Sequence, residues 1–224
     1  IVIEDCAESH GATVRGRMTG SFGDLSCFSF YANKIITTGE GGMVTSDEPL
    51  LADPLRWFRN HGIDREVRQR QATWRQDMVA FGFNYRLTDF QSALGLSQLR
   101  RLASRLKRRE EIAGRYREAF AAMAEVTAAP TRPGTRHAWH IYPLQLNLER
   151  LRQDREAIFQ ALRAENIGVS VHYRPVHLHP YYRERLGTVP GQCPAAEAAF
   201  APSMYRLHVL PDLVPATWCH SLAV

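Results

Sequence analysis

The segment FSFYANKIITTGEGG, residues 28–42, holds one lysine among aromatic, small and glycine residues. It overlaps an alternating, aromatic-rich stretch at residues 25–30, which predicts a strand, and it ends in a second predicted strand over residues 41–46. The glycines between these strands predict a hairpin or a close approach of the backbone to a bound group. Lys34 lies in this connection. Because lysine is usually exposed, local composition alone favours a Lys34 ammonium in water.

Lys34 gains significance when it is considered together with Asp5. If Lys34 packs among its aromatic neighbours, desolvation favours the neutral amine, which can attack a carbonyl carbon. Asp5 follows an apolar run, residues 1–3, that predicts a buried strand, and ligands of α/β sheets bind at the carboxyl ends of strands. Pyridoxal 5′-phosphate (PLP) requires both groups, a lysine for its aldehyde and an acid for its pyridinium nitrogen. The alternative for Asp5 is a helix cap or a turn.

The rest of the chain predicts a mixture of helices and strands. Helices are predicted over residues 48–60, 87–120, 152–166 and 193–207, further strands over 140–146 and 167–173, and a polar surface loop over 62–77. Two prolines and a glycine within residues 128–136 indicate a domain boundary there or near residue 120. The strand–helix–strand order that follows indicates a small α/β domain.

Four sequence blocks, in order along the chain, carry a resemblance to a known family. The blocks are EDCAESHGA (4–12), GSFGDLSCFSFYANKIITTGEGGMV (20–44), GFNYRLTDFQSALGLSQL (82–99) and VSVHYRPVHLHPYY (169–182). They resemble the DegT/DnrJ/EryC1/StrS family of PLP-dependent nucleotide-sugar aminotransferases. Within this family, the sequences of the blocks are most similar to those of the enzymes that aminate a UDP-linked 4-keto-6-deoxy-N-acetylhexosamine. The resemblance implies the α/β fold of type I PLP-dependent transferases, which is aspartate aminotransferase-like. It implies part of a three-layer α/β/α large domain over residues 1–120 and a small α/β C-terminal domain over residues 121–224.

The resemblance also implies roles for particular residues. Lys34 corresponds to the lysine that binds the cofactor covalently, Asp5 to the acid that pairs with the pyridine nitrogen, and Ser29 to a hydroxyl that holds the phosphate. Glu8 stands where many members have a glutamine beside the cofactor ring. Glutamine can donate a hydrogen bond there, whereas an ionised glutamate cannot. Tyr31 is a candidate substrate-binding residue.

Two further blocks imply a shared site and a substrate-facing domain. Asn84 corresponds to an asparagine that reaches the cofactor phosphate of a neighbouring subunit, so the resemblance implies a homodimer with a shared active site. The alternative for Asn84 is turn chemistry beside Gly82. His172 and Tyr173 lie where the family's C-terminal domain faces the sugar nucleotide. Their alternative is a strand and loop with incidental histidines.

The activity that the resemblance implies is transamination. An amino group would move from an amino acid, glutamate in this family, to the keto group of a nucleotide-linked 4-keto-6-deoxy sugar, in the biosynthesis of polysaccharide or glycan sugars. Relatives that remove a hydroxyl group instead carry histidine at the position of Lys34. The family's N-terminal segment is not found in these 224 residues, so the chain is expected to be a fragment of a longer protein. The alternative is an inactive fragment or a non-catalytic regulatory or binding relative.

Composition and charge argue against several other classes. No apolar run approaches the roughly 20 residues needed to cross a bilayer, and no signal peptide is visible. The four cysteines are scattered without a C-x-x-C pair, which favours reduced thiols and a cytoplasmic location. The histidines at 172, 177 and 179 match no standard zinc spacing, so no metal is expected. The formal charge is +5, and residues 100–118 are rich in arginine, but three interspersed glutamates favour a solvated helix face over nucleic-acid binding.

Overall fold

The computed structural model describes residues 1–64, 74 and 76–200, and the backbone of residues 204–208. The chain forms two compact units. Unit 1 holds Ile1–Leu106 and Pro133–Ala138, and unit 2 holds Lys107–Arg132 and the chain from Trp139 onward. The predicted domain division near residue 120 stays a prediction.

The strands and helices are short and alternate along the chain. The strands are β1 (Ile3–Asp5), β2 (Thr13–Val14), β3 (Arg17–Met18), β4 (Leu25–Ser29), β5 (Gly42–Thr45), β6 (Val126–Ala128), β7 (Thr135–Arg136), β8 (Ile141–Leu146), β9 (Val169–Val171) and β10 (Met204–His208). The α-helices are α1 (Pro49–Phe58), α2 (Asp89–Leu99), α3 (Leu102–Phe120), α4 (Arg155–Ala164), α5 (Pro180–Leu186) and α6 (Pro194–Phe200).

Unit 1 contains two three-stranded sheets. In the first sheet β4 is central, with β1 parallel to it on one side and β5 antiparallel on the other. The register pairs Asp5 with Cys27 and Ser29 with Gly42. The second sheet has the order β3-β2-β7 and is antiparallel throughout. Its two-residue strands are too short to leave an alternating pattern, so they were not predicted.

Unit 2 is built on a four-stranded sheet with the order β6-β8-β10-β9. Its core lies between this sheet and the apolar faces of α3 and α4, and it consists of Ile112, Ala113, Tyr116, Phe120, Val126, Trp139, Tyr142, Leu144, Leu146, Ile158, Leu162 and Ile167. The predicted strand at residues 140–146 and the predicted helix at 152–166 are both present. The helix predicted over 193–207 ends at Phe200, and its last residues form β10 instead. Pro202, which the helix pattern cannot accommodate, lies between them.

The prediction of one long helix over residues 87–120 is wrong in one respect, because this segment forms two helices. Helix α2 begins at a capping box in which Thr88 and Gln91 bind each other's backbone, and it ends at Leu99. At the break, the backbone N–H of Arg101 donates to the carbonyl of Gln98, three residues earlier in the chain. In a continuous α-helix it would donate to the carbonyl four residues earlier. No proline or glycine marks this position in the sequence, which is why the periodicity continues through it.

The sequence also predicted a polar surface loop, no membrane-spanning segment and no metal site. Most of the loop predicted over residues 62–77 lies outside the described residues. Within the part of the chain that the structure describes, no helix combines the length and the apolar character that crossing a membrane requires. The same residues contain no group of three or more His, Cys, Asp or Glu side chains that could hold a metal ion.

Candidate active site

The sheet of unit 1 brings Asp5 and Ser29 to one edge. Both residues end strands, β1 and β4, that run parallel, so their carboxyl ends meet at the same side of the sheet. Asp5 is exposed, and its Oδ1 accepts the backbone N–H of Ala7 at 3.0 Å. Among the described residues, Oδ2 of Asp5 accepts no hydrogen bond. The turn expected as the alternative is therefore present, and it leaves one carboxylate oxygen able to accept another donor.

Lys34 lies in a loop, residues 30–41, whose ends are tied together at this edge. The backbone N–H of Phe30 donates to the carbonyl of Gly41 at 2.9 Å, and the N–H of Thr38 donates to the carbonyl of Phe30 at 2.9 Å. Gly41 has a φ of +148°, and a Cβ there would lie 2.6 Å from Oγ1 of Thr38. The glycine therefore lets the loop close tightly, as the sequence indicated.

The Lys34 side chain ends on Glu8. Nζ of Lys34 donates to Oε1 of Glu8 at 2.8 Å, and the two side chains are 15% and 47% exposed. Local composition favoured an ammonium in water, but the ammonium is instead largely covered and paired with a carboxylate. Twenty-six residues separate the two partners, so no local pattern could have predicted the pair.

A buried glutamine holds the loop on its far side, and sequence reasoning missed it. Gln98, at the end of α2, donates through Nε2 to the carbonyl of Thr37 at 2.8 Å and accepts the N–H of Thr37 through Oε1 at 3.3 Å. Nη1 of Arg105 lies 2.6 Å from the same Oε1 and 3.4 Å from the carbonyl of Ile35. One signal could have found it: Gln98 precedes Leu102 and Leu106 at four-residue spacing, so it is a polar residue on an apolar stripe.

His10 is a second buried group that the sequence did not indicate. It is 4% exposed, and its ring centroid lies 5.4 Å from that of Phe28 and 6.0 Å from that of Phe30. Neither ring nitrogen has a partner in hydrogen-bonding geometry. Burial, and then the positive charge of Lys34, lower the pKa of His10, and the backbone of Ser29 opposes this only in part. His10 is therefore a neutral group beside the candidate site.

Glu4 fixes strand β1, and hence Asp5, in place. Its carboxylate accepts the backbone N–H groups of Gly20 and Gly23 at 2.9 and 2.8 Å, that of Phe22, and the hydroxyl of Ser26 at 3.2 Å. Desolvation alone would raise the pKa of Glu4, but the three N–H donors and the Ser26 hydroxyl outweigh it and lower the pKa to about 2. The carboxylate thus joins the strand to the turn before β4.

The two remaining candidates in unit 1 occupy different places. Tyr31 lies inside the Lys34 loop: it is 46% exposed, its N–H donates to Oγ of Ser29 at 3.3 Å, and its carbonyl accepts the N–H of Lys34 at 3.0 Å. Asn84 is exposed and pairs with Asn60 in an isolated antiparallel bridge, so it lies in an extended segment and not in a turn. No described hydrogen bond joins Asn84 to Lys34 or Glu8.

Asn84 lies within a group of exposed aromatic rings, Phe58, Phe81, Phe83 and Tyr85, which we call the aromatic ladder. The rings of Phe83 and Tyr85 are stacked with centroids 5.0 Å apart, and Phe58 and Phe81 meet Phe83 edge-on at 5.2 and 4.9 Å. Phe81 is 71% exposed and Tyr85 is 63% exposed. A surface of stacked and exposed rings is typical of an interaction site.

His172 and Tyr173 belong to unit 2 and directly follow β9. Their rings stack with centroids 3.9 Å apart, and Nδ1 of His172 lies 3.3 Å from Oγ of Ser170. Both residues therefore stand at a strand end, and their role towards the sugar nucleotide stays a prediction. The following segment is held by a side-chain hydrogen bond, because Nε2 of His177 lies 2.7 Å from Oε1 of Glu197.

A lysine in a closed loop at the carboxyl edge of an α/β sheet, with an aspartate ending the neighbouring strand, provides the two kinds of group that PLP requires. The chain belongs to the DegT/DnrJ/EryC1/StrS aminotransferase family, whose model matches residues 1–220. The family predicted from the four sequence blocks is therefore confirmed.

Relatives of this chain include sugar-biosynthesis proteins. The spore coat polysaccharide biosynthesis protein SpsC of Bacillus subtilis is 43% identical over 190 residues, which is 83% of this chain and 49% of the relative. The UDP-4-amino-4,6-dideoxy-N-acetyl-beta-L-altrosamine transaminase of Campylobacter jejuni is 38% identical over 188 residues, which is 84% of this chain and 48% of the relative. The chain thus spans about half the length of these relatives.

Solved structures confirm the fold class. PseC of Helicobacter pylori, an aminotransferase involved in the biosynthesis of pseudoaminic acid, superposes with a TM-score of 0.85 at 27% identity, over 99% of this chain and 58% of its own. The PLP-form of Spr1654 from Streptococcus pneumoniae gives a TM-score of 0.83 at 29% identity, over 96% of this chain and 54% of its own. The predicted α/β fold of type I aminotransferases is therefore correct.

Proposed function

We propose that the protein is a PLP-dependent aminotransferase that moves an amino group from an amino acid, such as glutamate, to the keto group of a nucleotide-linked 4-keto-6-deoxy sugar. The observation that carries the proposal is the position of Lys34, largely covered and at the same sheet edge as Asp5 and Ser29. The product would serve the biosynthesis of polysaccharide or glycan sugars. The cytoplasmic location predicted from the sequence stays a prediction.

The residues at this edge fit PLP. Lys34 would bind its aldehyde carbon, Oδ2 of Asp5 would accept from its ring nitrogen, and the hydroxyl of Ser29, at the end of β4, would hold its phosphate. When bound, PLP supplies an electron sink for the α-carbon of the amino donor. The single described hydrogen bond on Asp5, at Oδ1, is compatible with this assignment because it leaves Oδ2 to the ring nitrogen.

The chain's own residues would handle the protons. Nζ of Lys34, when it is not covalently bound, would take a proton from the α-carbon of the amino donor as a general base. In the second half of the reaction the same amine would transfer a proton in the opposite direction, to C-4 of the sugar. The loop closure at Phe30 and Gly41, and the two hydrogen bonds between Gln98 and the backbone of Thr37, fix the backbone of the loop that carries Lys34. His172 and Tyr173 would contact the sugar nucleotide.

A labelling experiment tests the central assignment, because the chain contains two lysines, Lys34 and Lys107. PLP is added, the protein is reduced with borohydride and digested, and the modified lysine is identified by mass spectrometry. We expect the label on Lys34. Lys34→Arg should abolish labelling, and the matched control Lys107→Arg should retain it. Label on Lys107 alone, or equal label on both lysines, would overturn the proposal.

We propose further that the working unit is a homodimer to which Asn84 contributes across the interface. The exposed aromatic ladder beside Asn84 supports this, because the association of two copies would cover it. Mixing Lys34→Arg with Asn84→Ala protein tests the shared site. Hybrid dimers would hold one intact site, so remixing should restore about a quarter of the wild-type PLP attachment at limiting PLP, since half of the dimers are hybrids. No recovery in a mixture whose hybrid dimers are verified would show that the site is not shared.

A further inference from the structure

We infer that Glu8 is a positioning residue for Lys34: its carboxylate holds the free lysine as an ammonium and thereby lowers the reactivity of the unbound amine. The inference rests on the proposed function, because it concerns the same lysine. It differs from what the family resemblance implies, in which a glutamine at this position contacts the cofactor ring.

The geometry singles out Glu8. Its Oε1 lies 2.8 Å from Nζ of Lys34, a normal distance for a charge-assisted hydrogen bond. Nζ is on a side chain that is only 15% exposed, so the carboxylate replaces water that an ordinary lysine would have around its charge. Glu8 is 47% exposed, so the pair is open to solvent on the glutamate side and can exchange its proton with water.

The other titratable groups around Lys34 are less suited to this role. Asp5 uses Oδ1 for the N–H of Ala7 and has no described hydrogen bond to Nζ. His10 packs against two phenylalanine rings, and burial and then the charge of Lys34 lower its pKa. Arg105, on the far side of the loop, binds Gln98 and the carbonyl of Ile35, and as a guanidinium it cannot accept a hydrogen bond from an ammonium.

Glutamate and glutamine differ at this position in one chemical respect. An amide oxygen can accept a hydrogen bond from an ammonium, but it carries no charge, whereas a carboxylate adds the attraction of opposite charges. Glu8 therefore stabilises the ammonium form of Lys34 in a way that a glutamine at this position would not.

The experiment compares the reactivity of Lys34 in the protein without added PLP. The protein is treated with a trace of acetic anhydride between pH 7 and pH 10, and acetylation of Lys34 is measured by mass spectrometry relative to Lys107, which serves as the internal reference. The variants are Glu8→Gln, which keeps the size and loses the charge, and Glu8→Asp, which keeps the charge and changes the size. Glu40→Gln, an exposed glutamate in unit 1, is the matched control.

We expect Glu8→Gln to raise the ratio of Lys34 to Lys107 acetylation about twofold to fivefold at pH 8, a range that corresponds to a partly exposed ion pair. Glu8→Asp and Glu40→Gln should stay close to wild type. If Glu8→Gln leaves the ratio unchanged, or if Glu8→Asp changes it as much as Glu8→Gln does, the inference is wrong. PLP attachment is measured separately on the same proteins. If PLP attaches to Lys34 in none of them, the proposed function fails whatever the acetylation shows.

Discussion

Replacing Glu4 with glutamine tests how strand β1 is held. The carboxylate accepts three backbone N–H groups, from Gly20, Phe22 and Gly23, and a hydroxyl from Ser26. Glutamine has the same shape, but one of its two polar ends is an NH₂ group that cannot accept these donors. Glu4→Gln therefore leaves at least one N–H group without an acceptor and removes the charge from the others.

The magnitude follows from the depressed pKa of Glu4. A fall from 4.5 to about 2 corresponds to roughly 3 kcal/mol if it is converted in full, at about 1.4 kcal/mol per pH unit. Glu4 is partly exposed, so screening by solvent reduces this, and we expect a loss of about 2 kcal/mol at pH 7. Because the folded pKa lies below the unfolded one, this stabilisation is complete above about pH 5.5 and is lost as the pH falls towards 2.

The assay is urea unfolding of the wild type and Glu4→Gln at several pH values between 3 and 7, followed by circular dichroism, with Glu40→Gln as the control. The difference in free energy of unfolding between the wild type and Glu4→Gln should be largest at pH 7 and should shrink below about pH 4.5. A difference below about 0.5 kcal/mol at pH 7, or one that does not change with pH, would refute the role given to the carboxylate.

Three other substitutions probe the surroundings of Lys34. Gln98→Leu should cost about 2–3 kcal/mol and speed hydrogen exchange at the Thr37 amide, because it leaves both backbone groups of Thr37 unsatisfied; unchanged exchange would contradict this. Gly41→Ala should lower the melting temperature more than Gly39→Ala, since a Cβ at Gly41 meets Thr38 at 2.6 Å and one at Gly39 meets open space; equal losses would contradict the steric argument. His10→Phe should remove part of the loss of stability on acidification. Because the pKa of His10 is lowered in the folded chain, the unfolded chain binds a proton below about pH 6.5 that the folded chain does not. The free energy of unfolding therefore falls by up to about 1.4 kcal/mol per pH unit in the wild type. Parallel stability curves for wild type and His10→Phe from pH 7 to pH 5 would show that His10 does not titrate in this way.

Parts of the site could be predicted because they depend on short segments. Asp5 and Ser29 each lie at or near the end of a stretch with a clear apolar or alternating pattern, so both strands could be predicted, whereas the parallel pairing that brings the two residues to one edge is seen only in the structure. The glycines after Lys34 indicated a tight turn, and Gly41 has the positive φ that such a turn needs. The four blocks then gave the family.

Other parts depend on contacts between distant residues, which no local pattern contains. Glu8 reaches Lys34 across 26 positions, and Gln98 reaches Thr37 across 61. The break between α2 and α3 has no proline or glycine to mark it. The sequence alone does not set His10 apart, and only its packing against Phe28 and Phe30 shows that it is buried.

The two adjacent carboxylates of β1, on Glu4 and Asp5, also favour a single register of this strand. Consecutive residues of a strand face opposite sides, so Glu4 and Asp5 cannot both point into the turn before β4. A slip of β1 by one position would put Asp5, with a side chain one methylene shorter, against the three N–H donors, and would turn Glu4 towards the candidate site. The misaligned strand would lose most of the hydrogen bonds that Glu4 now makes. Glu4, which takes no part in the proposed chemistry, thus determines that Asp5 is the acid that lies at the candidate site.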